Sequence, residues 1–141
     1  MMRPNRITHL LAACLVVSLS STGMAGPRED QLAGYASAAK AADPMFTGFS
    51  AERGKTLHSQ TFTGGKPATP GCTSCHGTDP HAAGRNPSGK AIEAVALSAT
   101  PTRYTDATKV EKWFKRNCTE VLGRECSAKE KGDWLSFMFG Q

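Results

Sequence analysis

Apolar residues recur at helical spacing in the last third of the chain. Val110, Trp113, Phe114 and Asn117 fall at i, i+3, i+4 and i+7, one face of a helix, with Lys109, Glu111, Lys112, Lys115 and Arg116 at the other positions. This predicts a helix over Asp106 to Asn117. Ser127-Ala128-Lys129-Glu130 has the form of a capping box and opens a last helix carrying Trp134, Leu135, Phe137, Met138 and Phe139. Asp30 to Ala42 is rich in alanine and reads as a helix ended by Asp43-Pro44. Ser50 to Gln60 reads as another, with Ser50 as its N-cap. Thr61 to Gly71 and Gly77 to Lys90 are dense in turn residues and read as loops. No run alternates β-branched and polar residues, so the expected fold class is all-α.

The first residues follow a different pattern. Arg3 and Arg6 precede an apolar run from Leu10 to Leu19, broken only by Ser18, and Gly23 and Ala25 stand where a signal peptidase reads. That is the layout of a secretory signal peptide, residues 1–25, removed on export. The run is too short to span a bilayer, which needs about 20 residues. Leu11-Ala12-Ala13-Cys14 resembles a lipoprotein box, but Leu15-Val16-Val17 continues the apolar run past the cysteine, which argues against lipidation. The expected mature chain is one domain, residues 26–141, in the periplasm.

Export changes the charge and the cysteine count. Two of the 17 basic residues and none of the 12 acidic ones lie in the leader, so the mature chain carries +3. The basic residues are scattered, with no stripe and no aromatic interleaving, so nucleic acid is not an expected partner. Of five cysteines, all but Cys14 remain: Cys72, Cys75, Cys118 and Cys126. An even number in an exported chain points to a covalent fate for each.

Cys72-Thr73-Ser74-Cys75-His76 is a c-type haem attachment sequence. Two thiols three positions apart reach the two vinyl groups on one porphyrin edge, and the histidine that follows becomes the proximal iron ligand. A thioredoxin-like pair would need a βαβ context that is absent. A four-cysteine zinc site is disfavoured because seven residues separate Cys118 from Cys126, not two to four. One covalent haem c is therefore expected on Cys72, Cys75 and His76.

The sixth ligand decides what such a haem does. Met45, Met138, His58, His81 and Asn117 are the candidates. Met138 sits among aromatics at helical spacing, where methionine ordinarily fills core. Met45 lies well before the motif. His81 is five residues past His76, too close to pass round the porphyrin. His58 reads as a solvated or propionate-contacting residue, with bis-histidine ligation as an alternative. Asn117 ends an apolar stripe and needs a partner if buried. On periodicity alone, capping its own helix end is the more ordinary role.

Longer stretches narrow the choice. Val110-Glu111-Lys112-Trp113-Phe114-Lys115-Arg116-Asn117-Cys118, Val121-Leu122-Gly123-Arg124-Glu125-Cys126 and Glu130-Lys131-Gly132-Asp133 resemble the sphaeroides haem protein family. These are small class I cytochromes c with an asparagine sixth ligand. Gly89 to Glu93 and Arg103 to Asp106 are also similar to that family, and the likeness runs from about Cys72 to the C-terminus. The resemblance implies that Asn117 ligates the iron beside a Cys118–Cys126 disulfide. It implies that the asparagine leaves on reduction and opens a site for oxygen, nitric oxide or similar ligands. It also implies a dihaem cytochrome c and a membrane cytochrome b as redox partners. Two other readings stay open: an ordinary His/Met electron carrier using Met138, and a haem enzyme such as a peroxidase or nitric oxide dioxygenase.

Overall fold

A computed structural model describes residues 26–141, so the leader, with Cys14 and the cleavage site, lies outside the described residues. The elements are α1 (Pro27–Ala42), α2 (Ala51–Ser59), α3 (Thr73–His76), β1 (Gly84–Arg85), β2 (Ala91–Ile92), α4 (Ala107–Leu122) and α5 (Ala128–Phe139). The architecture is all-α apart from the small antiparallel hairpin β1–β2, which pairs Gly84 with Ile92 and Arg85 with Ala91. Each of these strands is two residues long. They offer no alternating pattern to detect, which is why they read as loop.

Local chemistry sets the helix ends. Pro27 opens α1, Glu29 and Asp30 occupy its first turn, and Asp43 leaves it in extended conformation before Pro44. The Ser50 side chain accepts from Arg53 N at the start of α2. Asp106 accepts from Lys109 N, 2.9 Å, at the start of α4. Ser127 and Glu130 form both hydrogen bonds of the capping box on α5. Helix α4 does not stop at Asn117. It runs on to Leu122 and ends at Gly123, whose φ of +75° closes it in the left-handed conformation. Asn117 therefore lies five residues inside the helix, and the capping role is removed.

Two apolar clusters hold these elements. One joins Val95, Tyr104, Val110, Leu135, Phe137 and Met138. The other joins Leu57, Cys118, Val121, Leu122 and Cys126. Phe114 and Trp134 pack against both, edge to face with ring centroids 5.7 Å apart. Helix α2 lies close against α5: at Gly54, a Cβ would fall 2.0 Å from the Asp133 carbonyl oxygen. The buried Asp133 carboxylate ties the pair further. It accepts from Ser50 N (2.7 Å), from Arg53 Nε (2.7 Å) and Nη2 (2.8 Å), and from Lys129 Nζ (2.8 Å). Those cations hold its carboxyl below the usual range against the opposing effect of burial. At the other end of the bundle, Lys131 pairs with Glu111, which also accepts from Tyr35 Oη at 2.6 Å, so α1, α4 and α5 share one polar knot. Among the described residues, no helix is long and apolar enough to cross a membrane.

Candidate haem site

A cavity of about 710 Å³ opens between α3, the β1–β2 hairpin and α4. Cys72, Cys75 and His76 line it on one side, and Val110, Trp113, Phe114 and Asn117 line it from α4. The predicted helical stripe therefore faces this cavity, not only the protein core. Both thiols of the motif are free and half-buried. Burial pushes the Cys72 thiol up to about 11, so it stays protonated, its Sγ 3.8 Å from the Leu57 carbonyl. Such a thiol is apolar and inert towards metal, as suits a group awaiting addition to a vinyl.

His76 is held neutral. Burial first, then the charges of Arg103 and His58, bring its pKa down to about 4. Its Nδ1 is buried without a protein partner. A neutral imidazole lining a cavity, with a buried nitrogen that no protein group engages, is a donor suited to an iron porphyrin. The volume lies within the range of cofactor pockets. The residues present thus fit a haem.

The sixth-ligand candidates separate by place. Met45 is 80% exposed, in the loop after α1. Met138 is fully buried in the core and does not line the cavity, and Leu97 N donates to its carbonyl at 3.0 Å. His81 is exposed, with Nδ1 3.2 Å from Asp79 Oδ1. His58 is not solvated: it is 2% exposed. Its Nε2–H donates to the Gly77 carbonyl at 3.1 Å, and its Nδ1 accepts from Trp134 Nε1–H at 3.4 Å. Both ring nitrogens are engaged, and its ring centroid lies 6.4 Å from that of His76. Burial lowers its pKa, so the neutral tautomer persists as a brace behind the attachment turn. Of the five candidates, Asn117 alone lines the cavity among the described residues.

Cys118 follows Asn117 and is disulfide-bonded to Cys126, with Cα atoms 5.6 Å apart across eight residues. The bridge closes the loop between α4 and α5. In the chain-entropy model so short a loop contributes roughly 2–3 kcal/mol. Thiol labelling of unfolded, unreduced holoprotein is expected to find no free cysteine. Two labels per chain would refute the bridge.

Known proteins resemble this chain. Residues 44–138 match the family described as "Domain of unknown function (DUF1924)". Cytochrome c-type protein SHP of Cereibacter sphaeroides is 50% identical over 111 residues, covering 78% of this chain and 81% of that protein. The chain belongs to the SHP family of c-type cytochromes. A solved structure of oxidised SHP, an oxygen-binding cytochrome c, superposes with a TM-score of 0.75 at 46% identity, over 84% of this chain and all of that one. Cytochrome c'' of Methylophilus methylotrophus is more distant, 32% identical over 105 residues, 74% of this chain and 73% of that protein. Its oxidised crystal structure gives a TM-score of 0.72 at 30% identity, over 82% of this chain and 94% of that one. As a member of the SHP family the chain is a monohaem c-type cytochrome with covalently bound haem c.

Three features in or behind the cavity wall escaped the sequence reading. The Arg103 guanidinium stacks on Trp113, 4.8 Å from the ring centroid, and Lys109 Nζ lies 4.9 Å from the same centroid. Thr69 is 2% exposed and lines the cavity with its hydroxyl unpartnered. His58 looked like a surface residue because its helix is polar on average. No spacing along the chain pairs these residues, and only the packing brings them together.

Proposed function

We propose that the chain is a periplasmic cytochrome that transfers electrons and binds a small diatomic, oxygen or nitric oxide, through a redox-gated sixth position. Cys72 and Cys75 anchor the haem, His76 is its fixed ligand, and Asn117 is its releasable one. When bound, the haem supplies a one-electron couple and an axial position that accepts a neutral diatomic.

The observation that carries this reading is the place of Asn117. An asparagine inside a helix is unfavourable, because its side chain competes with the backbone for hydrogen bonds. Here its side chain is exposed at a cavity that His76 also lines, free of protein hydrogen bonds among the described residues and so available to a ligand there. Its amide oxygen is a hard, neutral donor and suits the oxidised metal better than the reduced one. Asn117 is thus held in one redox state and free in the other. The Cys118–Cys126 bridge pins the adjoining backbone, so the side chain moves and the helix does not. The family's implied redox partners, a dihaem cytochrome c and a membrane cytochrome b, fit this role. SHP, whose oxidised structure this fold matches, is an oxygen-binding cytochrome c, which supports the same choice of ligand.

Asn117→Ala tests the assignment. The oxidised spectrum is expected to turn more high-spin, and azide or cyanide to bind the oxidised form faster, since no internal ligand must first leave. The reduced spectrum, with and without carbon monoxide, is expected to change little. Met138→Leu is expected to leave all spectra alone, as a near volume-conserving core exchange costing under about 1.5 kcal/mol. If Met138→Leu changes the oxidised spectrum and Asn117→Ala does not, the chain is a His/Met carrier instead.

A further inference from the structure

Arg103 and Lys109 share one indole, and neither forms an ion pair among the described residues. Both line the cavity. The Arg103 Nε is buried with no partner, while its Nη1 donates to the Glu93 carbonyl at 3.3 Å. A guanidinium that leaves a buried N–H unpaired bears a desolvation cost unless an acceptor completes it. Two uncompensated cations brought to the same ring ask for an acceptor that is anionic.

Their position along α4 says which anion. Cys72 Sγ lies 3.8 Å from the Leu57 carbonyl, and Leu57 packs in one cluster with Cys118, Val121 and Leu122, so the attachment edge of the cavity lies beside the C-terminal half of α4. Lys109 and Trp113 lie on the N-terminal half. From Lys109 to Glu120 the helix rises about 16 Å, the scale of a porphyrin with its side arms. In haem c the two propionates sit on the side of the macrocycle away from the two thioether-bearing groups. Attachment at one end of α4 therefore presents the carboxylates to the other end. The remaining charged groups facing the cavity are Lys90, Glu93, Arg116, Glu120 and His76. Two of these are acidic and cannot serve, His76 is the iron-side ligand of the motif, Arg116 belongs to the attachment end, and Lys90, exposed on the hairpin turn, does not share the Trp113 ring.

Resting on the haem reading above, we propose that Arg103, oriented by the Trp113 face and assisted by Lys109, binds the haem propionates and holds the porphyrin in register along α4. A fork of fixed N–H donors suits a carboxylate better than a point charge does. Trp113 keeps the fork planar against one wall, so little side-chain entropy remains to be lost. Because Trp113 is one turn from Asn117, the same contact sets the depth at which the porphyrin meets the amide.

The test uses haem-loaded holoprotein. In Arg103→Leu the propionate bending band of the resonance Raman spectrum is expected to move to lower frequency, because its carboxylate loses hydrogen-bond donors. The Fe(III)/Fe(II) equilibrium is expected to shift on the order of tenfold towards Fe(III), the scale of one charge removed from a partly shielded site. That is about 59 mV for a one-electron couple. Lys109→Ala, an exposed truncation expected to fold normally, should move both readouts in the same direction by less. Unchanged propionate bands in both variants overturn the assignment, even if stability falls. So does a change confined to the C–O stretch of the carbon monoxide complex, which would place Arg103 against the bound diatomic instead. Haem content is read on the same samples. A wild-type chain that carries no haem after maturation overturns the haem reading itself, whereas loaded protein with unmoved bands overturns only the role of Arg103.

Discussion

Replacing both Cys72 and Cys75 with alanine is expected to yield a chain that gives up its haem to acidified organic solvent, and whose intact mass under denaturing conditions lacks one haem. Wild-type protein co-expressed with maturation factors should keep the haem through both treatments. The reason is the modest size of the domain. The cavity of about 710 Å³ lies open to one side and is walled partly by loops. In the double variant only the axial ligands, side-chain contacts to the propionates and apolar contact retain the cofactor, and all three are lost when the chain opens. Covalent attachment makes retention independent of folding. It also keeps the cofactor beside its cavity at a high effective concentration, whereas a haem held without thioethers stabilises the folded state only by mass action. The double variant should therefore unfold earlier and with a concentration-dependent midpoint when free haem is added. Cys72→Ala alone should give an intermediate result, since one thioether remains. Acid-stable haem in the double variant would show that attachment lies elsewhere in the chain.

Gly54→Ala is expected to destabilise the protein by about 3 kcal/mol or more, the upper range for overpacking. Helix propensity predicts the opposite sign, because alanine in a helix is favoured over glycine by about 1 kcal/mol. Contact geometry decides between them. An added Cβ would fall 2.0 Å from the Asp133 carbonyl oxygen, 2.6 Å from its carbon and 2.9 Å from Phe137 Cβ. Two of these atoms are backbone of α5 and cannot turn aside, so α2 itself must move. That movement would lengthen the bonds from Ser50 N and Arg53 to the buried Asp133 carboxylate. Leaving a buried carboxylate poorly paired adds to the cost. It would also draw His58 away from Trp134 and from the Gly77 carbonyl, loosening the brace behind His76. Denaturant unfolding should show a lower midpoint with an unchanged slope. A variant as stable as wild type would mean that α2 does not cross α5 this closely.

Several parts of this protein were legible one residue at a time. The haem attachment motif is contiguous, and its chemistry depends on spacing alone. Ser50 and the Ser127/Glu130 pair cap their helices through bonds that reach three residues, so local sequence suffices to find them. The stripe Val110, Trp113, Phe114 and Asn117 follows from helical periodicity, and family resemblance supplied the ligand and disulfide roles that periodicity left open. The end of α4 was less legible. Polar Asn117 looked like a terminus, yet the helix continues because Cys118, Val121 and Leu122 bury against Leu57 and Cys126. Packing there overrides propensity. The hairpin β1–β2 was invisible because two-residue strands carry no period.

What only the tertiary structure decided concerns residues whose chemistry depends on distant partners. His58 reads as a surface histidine on a polar helix, but Trp134 and Gly77, 76 and 19 residues away, bury it and bond both its nitrogens. Met138 and Asn117 were rival ligands on paper. The fold sends one into a core with Leu135 and Tyr104 and the other to a cavity with His76. Arg103 is separated from Trp113 by a loop and a helix cap, and only the closing of α4 onto the cavity stacks them. The sequence determines local geometry because caps, turns and motifs act over a few bonds. Burial and pairing are set by contacts between segments far apart in the chain, and those exist only once the helices have packed.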